Sequence, residues 1–97
     1  MKYTVVLQPE NVGYSVTCPA VLGAVSQGDS LEEALDNIIE AIQGILEVRQ
    51  AYNEEIPVET PEIVAAEIQT ILVERAEDAL PLTIETREVE VAVEALA

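Results

Sequence analysis

Apolar residues alternate at the start of the chain and then switch to a helical rhythm. In residues 2–8, Tyr3, Val5 and Leu7 share one face and Lys2, Thr4 and Gln8 the other, with Val6 as the exception. A two-residue period is that of a strand buried on one side. Pro9-Glu10-Asn11-Val12-Gly13 reads as a turn in which Gly13 supplies a positive φ. Tyr14, Val16 and Cys18 resume the alternation, so two antiparallel strands joined by a short loop are expected. Pro19 ends the second strand. A third, shorter strand is expected over 23–27, anchored by Leu22 and Val25 and closed by Gly28.

The rhythm changes at Leu31. Leu31, Ala34, Leu35, Ile38, Ile42 and Ile45 recur at helical spacing, widened by Ile39 and Leu46, and predict a helix from Leu31 to about Tyr52. Ser30 stands at the N-cap and Glu33 three residues later, the pattern of a reciprocal capping box, and Asp29 adds negative charge at the positive helix end. Gly44 lies inside this helix, where glycine costs about 1 kcal/mol relative to alanine, so a close packing contact is expected there.

Residues 53–60 form a polar, proline-containing connection. Thr60-Pro61 then opens a second helix, with threonine as cap and proline where its missing N–H matters least. Val64, Ile68, Ile71 and Leu72 make its stripe, and it ends before Pro81. A last strand is expected over Leu82–Val93. Its apolar phase changes near Arg87, which suggests a bulge or bend.

The expected fold class is therefore α+β: a two-layer, three-stranded antiparallel sheet covered by a long helix, with an additional helix and a C-terminal strand. Residues 1–97 read as a single domain. Within it, 1–52 form the βββα core, 53–60 the connection, and 61–97 an extension suited to oligomerisation. The last strand can pair with its own sheet or with a second subunit. A long open edge invites aggregation, so a homodimer or higher oligomer built partly through it is expected.

Composition sharpens this picture. With 97 residues, 49% of them hydrophobic and only three tyrosines as aromatics, the core must be aliphatic. Nineteen acidic residues against four basic ones give a net charge of −15. That field repels phosphate backbones, so nucleic-acid binding is not expected, and it draws in basic partners. No apolar run approaches the roughly 18 residues that span a bilayer. The alternating N-terminus is not a signal block, so a cytoplasmic location is expected.

Candidate chemistry is sparse. Cys18 is the single cysteine, so it reads as a small buried hydrophobe. No histidine supplies a general base. Two-metal nuclease chemistry would need carboxylates converging from strand and helix, and the candidates are Glu10, Asp29, Asp36 and Glu40. Asp29, Glu32 or Glu33, Asp36 and Glu40 lie at helical spacing on one face, which reads as a solvated face. Ser26 has no partner, and Ser30 is accounted for as the cap. Gly13, Gly23, Gly28 and Gly44 are scattered and make no phosphate loop. No catalytic residue, metal or cofactor is expected, and the chain does not read as an enzyme.

Tyr3-x-Val5, Gly13-Tyr14-x-Val16, Cys18-Pro19, Gly23, Ser26-x-Gly28-Asp29-Ser30-x-Glu32-Glu33-Ala34 and Asn37, in this order and spacing, resemble the HicB-like antitoxin family. The resemblance covers roughly residues 1–50. It departs where the family usually has Leu-Pro-Gly, here Val21-Leu22-Gly23. It implies a truncated RNase H-like fold and a role in neutralising a small basic HicA-type toxin that cleaves mRNA. On that reading the partner-facing surface is Glu32, Asp36, Glu40 and Glu47 on the long helix, with Glu10 and Asn11 in the first turn. Many members of the family carry a DNA-binding unit after this domain. Residues 61–97 hold only Arg75 and Arg87 against nine acidic residues, so no such unit is expected here. The alternative is a solitary oligomeric scaffold or interaction protein with no toxin partner.

Overall fold

The computed structural model describes residues 1–92. It places strands β1 (Lys2–Pro9), β2 (Tyr14–Thr17) and β3 (Val25–Gly28), helices α1 (Leu31–Ala51) and α2 (Pro61–Glu77), and strand β4 (Glu85–Glu90) in that chain order. The four strands form one antiparallel sheet in the order β3-β2-β1-β4. The fold is α+β, as expected, with the C-terminal strand joining the same sheet.

Strand β4 pairs with β1 of its own chain, from Lys2 opposite Glu90 to Leu7 opposite Glu85. The one-to-one register leaves no bulge. The expected phase change arises because the strand is shorter than Leu82–Val93: Leu82 is exposed and Ile84 half-buried ahead of it, whereas Val89 and Val91 enter the core. Val93 lies outside the described residues.

The two faces of the sheet are covered differently. Tyr3, Val5 and Leu7 of β1, Val16 of β2, and Val89 point to the α1 side, where they meet Ala34, Ile38, Ile42 and Leu46 in the main core. These four helix residues recur every four positions, so one narrow stripe seals the sheet. The Tyr3 hydroxyl donates to the Pro57 carbonyl at 2.7 Å and ties the 53–60 connection to this layer.

Val6 faces the other way and is buried as well, outside the main core. Its even-numbered neighbours on β1 reach α2 and its flanks. The Thr4 N–H and hydroxyl both donate to the Glu59 carboxylate, the hydroxyl at 2.8 Å. Arg75 donates to the Gln8 side chain at 3.2 Å and to the Pro81 carbonyl at 2.6 Å. Helix α2 is thus fastened at both ends by polar groups. Only Ile71 and Arg75 of α2 are buried, and Val64, Ile68 and Leu72 of its expected stripe are half-exposed.

The expected anchors of β3 are not anchors. Leu22 is 85% and Val25 64% exposed, and the side of β3 facing α1 carries Ser26 and Gly28, with Ala24 buried just ahead. Small residues stand there because α1 starts almost on top of the strand.

Candidate partner-binding surface

The junction between β3 and α1 is architectural. A Cβ on Gly28 would lie 2.3 Å from the Ala34 nitrogen, so no larger residue lets the first helical turn approach the strand end. Gly13, at φ +73°, lies against the Gly28 carbonyl from the other side and locks the first turn to this junction. Ser30 accepts the Glu33 N–H at 3.1 Å, as a helix cap should. The Glu33 carboxylate accepts the Asp29 N–H at 3.3 Å, one residue earlier than a standard capping box would have it.

The acidic residues singled out from sequence fall into two groups. Glu32, Asp36, Glu40 and Glu47 are exposed on α1 and spread over about 22 Å of helix. Glu10 and Asn11 stand in the β1–β2 turn, and Glu10 accepts a hydrogen bond from the Ser15 hydroxyl at 2.9 Å. A shallow depression brings Glu10 beside Asp29 and Gly28, at the N-terminal end of α1. The turn therefore extends the start of the acidic ridge and stands apart from Glu40 and Glu47.

All four basic side chains are already engaged. Lys2 pairs with Glu88 at 3.7 Å and Arg87 with Glu85 at 3.4 Å. Arg49 donates to the Glu55 carbonyl at 3.3 Å, and Arg75 to Gln8 and Pro81. The α1 carboxylates thus present negative charge with little internal compensation, the kind of field that steers a cationic partner.

Beside this ridge runs an open groove of about 760 Å³. Its floor is Ala41, Gly44, Ile45 and Val48, and its rim is Asn37, Glu40, Arg49 and Glu54. Asn37 donates to the Gln27 carbonyl at 2.7 Å, holding the helix against edge strand β3 where the groove begins. The space around Gly44 is the opposite of the expected tight contact. Beyond its own helix backbone and chain neighbours, nothing lies within 4 Å of where its Cβ would be, so the glycine opens the groove. Glu59, Arg75 and the groove itself were not legible as functional or binding features in the sequence. The outward-facing glycine at position 44 was the available signal.

Reactive groups are muted. The buried Cys18 thiol is pushed up to about 11 by desolvation, which keeps it a neutral thiol. Burial, reinforced by the neighbouring Cys18 and Glu59, also raises Tyr3. Among the described residues no three His, Cys, Asp or Glu side chains gather as a metal site would require. No described helix is long and apolar enough to cross a membrane.

Known proteins frame this geometry. The model of the HicB_like antitoxin of bacterial toxin-antitoxin systems matches residues 3–71. The UPF0150 protein Ta0767 of Thermoplasma acidophilum is 45% identical over 58 residues, which are 59% of this chain and 84% of that protein. Antitoxin HicB 1 of Photorhabdus laumondii is 40% identical over 62 residues, 63% of this chain and 40% of that antitoxin. The crystal structure of the N-terminal domain of the Burkholderia pseudomallei antitoxin HicB superposes with a TM-score of 0.66 at 25% identity, covering 96% of this chain and all of that one. The HicA3 and HicB3 toxin-antitoxin complex contains a chain with the same fold, at a TM-score of 0.63 and 15% identity, covering 96% of this chain and 100% of that chain. With a family model matching residues 3–71, well over half of its length, this chain belongs to the HicB-like antitoxin family.

Proposed function

We propose that this chain is an antitoxin that binds and neutralises a small basic HicA-type toxin, and so silences mRNA cleavage by occupying the toxin's RNA-reading surface. It acts in the cytoplasm, by binding and without catalysis. The observation that carries the reading is the uncompensated acidic ridge on α1, on a chain of net charge −15 whose four cations are all engaged. An acidic protein that covers a cationic surface competes directly with the phosphate backbone for it. The complex named for the structural relative, of toxin HicA3 with antitoxin HicB3, supports a protein partner of this type. DNA recognition is assigned to no part of this chain, because Arg75 and Arg87 are both committed to internal contacts.

The test is co-expression with the HicA toxin encoded nearest to this chain's gene, followed by RNA-cleavage assays on the purified pair. Restored growth and a complex that salt dissociates support the reading. Reversal of Asp36 and Glu40 to lysine slows association and flattens its salt dependence. Unimpeded cleavage in the presence of excess chain rejects neutralisation.

A second reading is favoured by one observation: α2 is apolar around much of its circumference, with Ile63 and Val73 exposed, and β4 is an edge strand. On this reading residues 61–97 mediate self-association, and the protein is an oligomeric scaffold. Light scattering at micromolar concentration decides it: a monomer that stays a monomer removes the scaffold.

A further inference from the structure

We infer that the groove beside Gly44 is the docking site for an aliphatic side chain that a basic protein partner presents between two cations. The inference rests on the antitoxin reading for the identity of the partner and deepens it by locating the contact.

Glycine in a helix interior destabilises the helix, and a fold normally tolerates it where another element comes too close for a side chain. At Gly44 no atom other than its own helix backbone and its chain neighbours stands within 4 Å of the Cβ position, so the fold gains nothing from its absence. What the glycine does is keep open an apolar floor shared with Ala41, Ile45 and Val48. Val48 is 57% exposed, and Leu22 projects into solvent next to Gly23, whose own Cβ position is 3.8 Å from Ile45 Cδ1. Aliphatic surface left out in this way, next to a concavity, is typical of a contact site.

Charge decides the occupant. Glu40 and Glu54 stand on the rim, and Asp36 and Glu47 lie a turn away along the same side of α1. The rim's one cation, Arg49, is tied to the Glu55 carbonyl. A second copy of this chain, at −15, would bring like charge to like charge, whereas a protein with Lys or Arg flanking a Leu or Ile satisfies floor and rim together.

The experiment is an amide chemical-shift titration of the whole protein with the blocked pentapeptide Lys-Leu-Arg-Ile-Lys, against Glu-Leu-Gln-Ile-Glu as control. Gly44→Leu, which fills the groove, is titrated in parallel, and its thermal midpoint is measured beside the parent's. The expected result is shifts concentrated over residues 37–54 with the basic peptide alone. Gly44→Leu should weaken them about tenfold or more while melting no lower than the parent. Shifts elsewhere, equal binding of the acidic peptide, or undiminished binding by Gly44→Leu overturn the site. Concentration-dependent shifts over 37–54 without peptide would hand the groove to a second copy and overturn the proposal equally. Toxin neutralisation separates the two readings. A Gly44→Leu variant that still neutralises a HicA toxin removes the groove and leaves the antitoxin. A parent chain that binds the peptide but neutralises nothing keeps the groove and removes the toxin.

Discussion

The two helices of this protein solve the same problem, covering one face of a sheet, in opposite ways. Helix α1 does it with Ala34, Ile38, Ile42 and Leu46, four apolar residues on one stripe, and leaves its acidic side wholly to solvent. Helix α2 lies on the other face with two buried residues, one of them the arginine Arg75, and is held by hydrogen bonds at its ends. Apolar burial makes α1 part of the folding unit. Polar fastening positions α2 but supplies less of the free energy, since a net hydrogen bond contributes about 1 kcal/mol. The difference teaches that the sheet's two sides have separate duties: one holds the fold, and the other carries a helix that is less firmly committed.

This contrast can be broken most severely on the α1 side. Ile42→Ala should destabilise the protein by about 2–5 kcal/mol, measured by urea unfolding, because the cavity it opens lies between helix and sheet. A loss below about 1 kcal/mol, the scale of a surface change, would mean that α1 is not the sealing element. Arg75→Ala is expected to cost less, about 1–3 kcal/mol, by leaving the Pro81 carbonyl and the Gln8 side chain without their donor. Hydrogen exchange should show α2 opening in that variant while α1 stays protected.

Alkaline pH should pick out the α1 side with a smaller effect. Cys18 ionises near 9 in the unfolded chain and about 11 in the native one, because burial disfavours the thiolate. The native state therefore holds its proton longer. Its stabilising contribution is complete below pH 9 and is lost as pH rises through 11. Tyr3, raised for the same reason, adds to the loss in the same direction. Cys18→Ala should flatten the urea midpoint across that window, and an unchanged slope would count against a desolvated thiol. Smallest of all, Gly44→Ala should raise stability by about 0.8–1 kcal/mol, since the helix gains propensity with no steric cost.

Most of the fold was readable because its strongest signals are local. The stripe of α1, its Ser30 cap, the Thr60-Pro61 start of α2 and the alternation of β1 all depend on residues a few positions apart. The anchors of β3 do not follow from hydrophobicity because the face toward α1 needs small residues, so Leu22 and Val25 are left outside. The β4 pairing, the Glu59 clasp on Thr4 and the Arg75 contact with Gln8 join segments more than fifty residues apart, beyond any periodicity. Exposure of Asp36, Glu40 and Glu47 followed from helical phase. That Glu40 borders a groove did not, because a glycine in a helix gives the same signal whether it admits a neighbour or keeps a space.

The strand order also sets an order of events. Strand β1 precedes every other element of this fold and is a central strand of the sheet, yet β4, the neighbour that completes it, follows both helices, with Lys2 opposite Glu90. Closing so long a loop is slow relative to forming the β1–β2 hairpin or α1. A nascent chain halted before residue 85 would leave one side of β1 unpaired, and with it a buried aliphatic strand open to any passing strand of like kind. This pairing of segments so far apart thus makes solubility depend on β4, and its loss would be felt at β1.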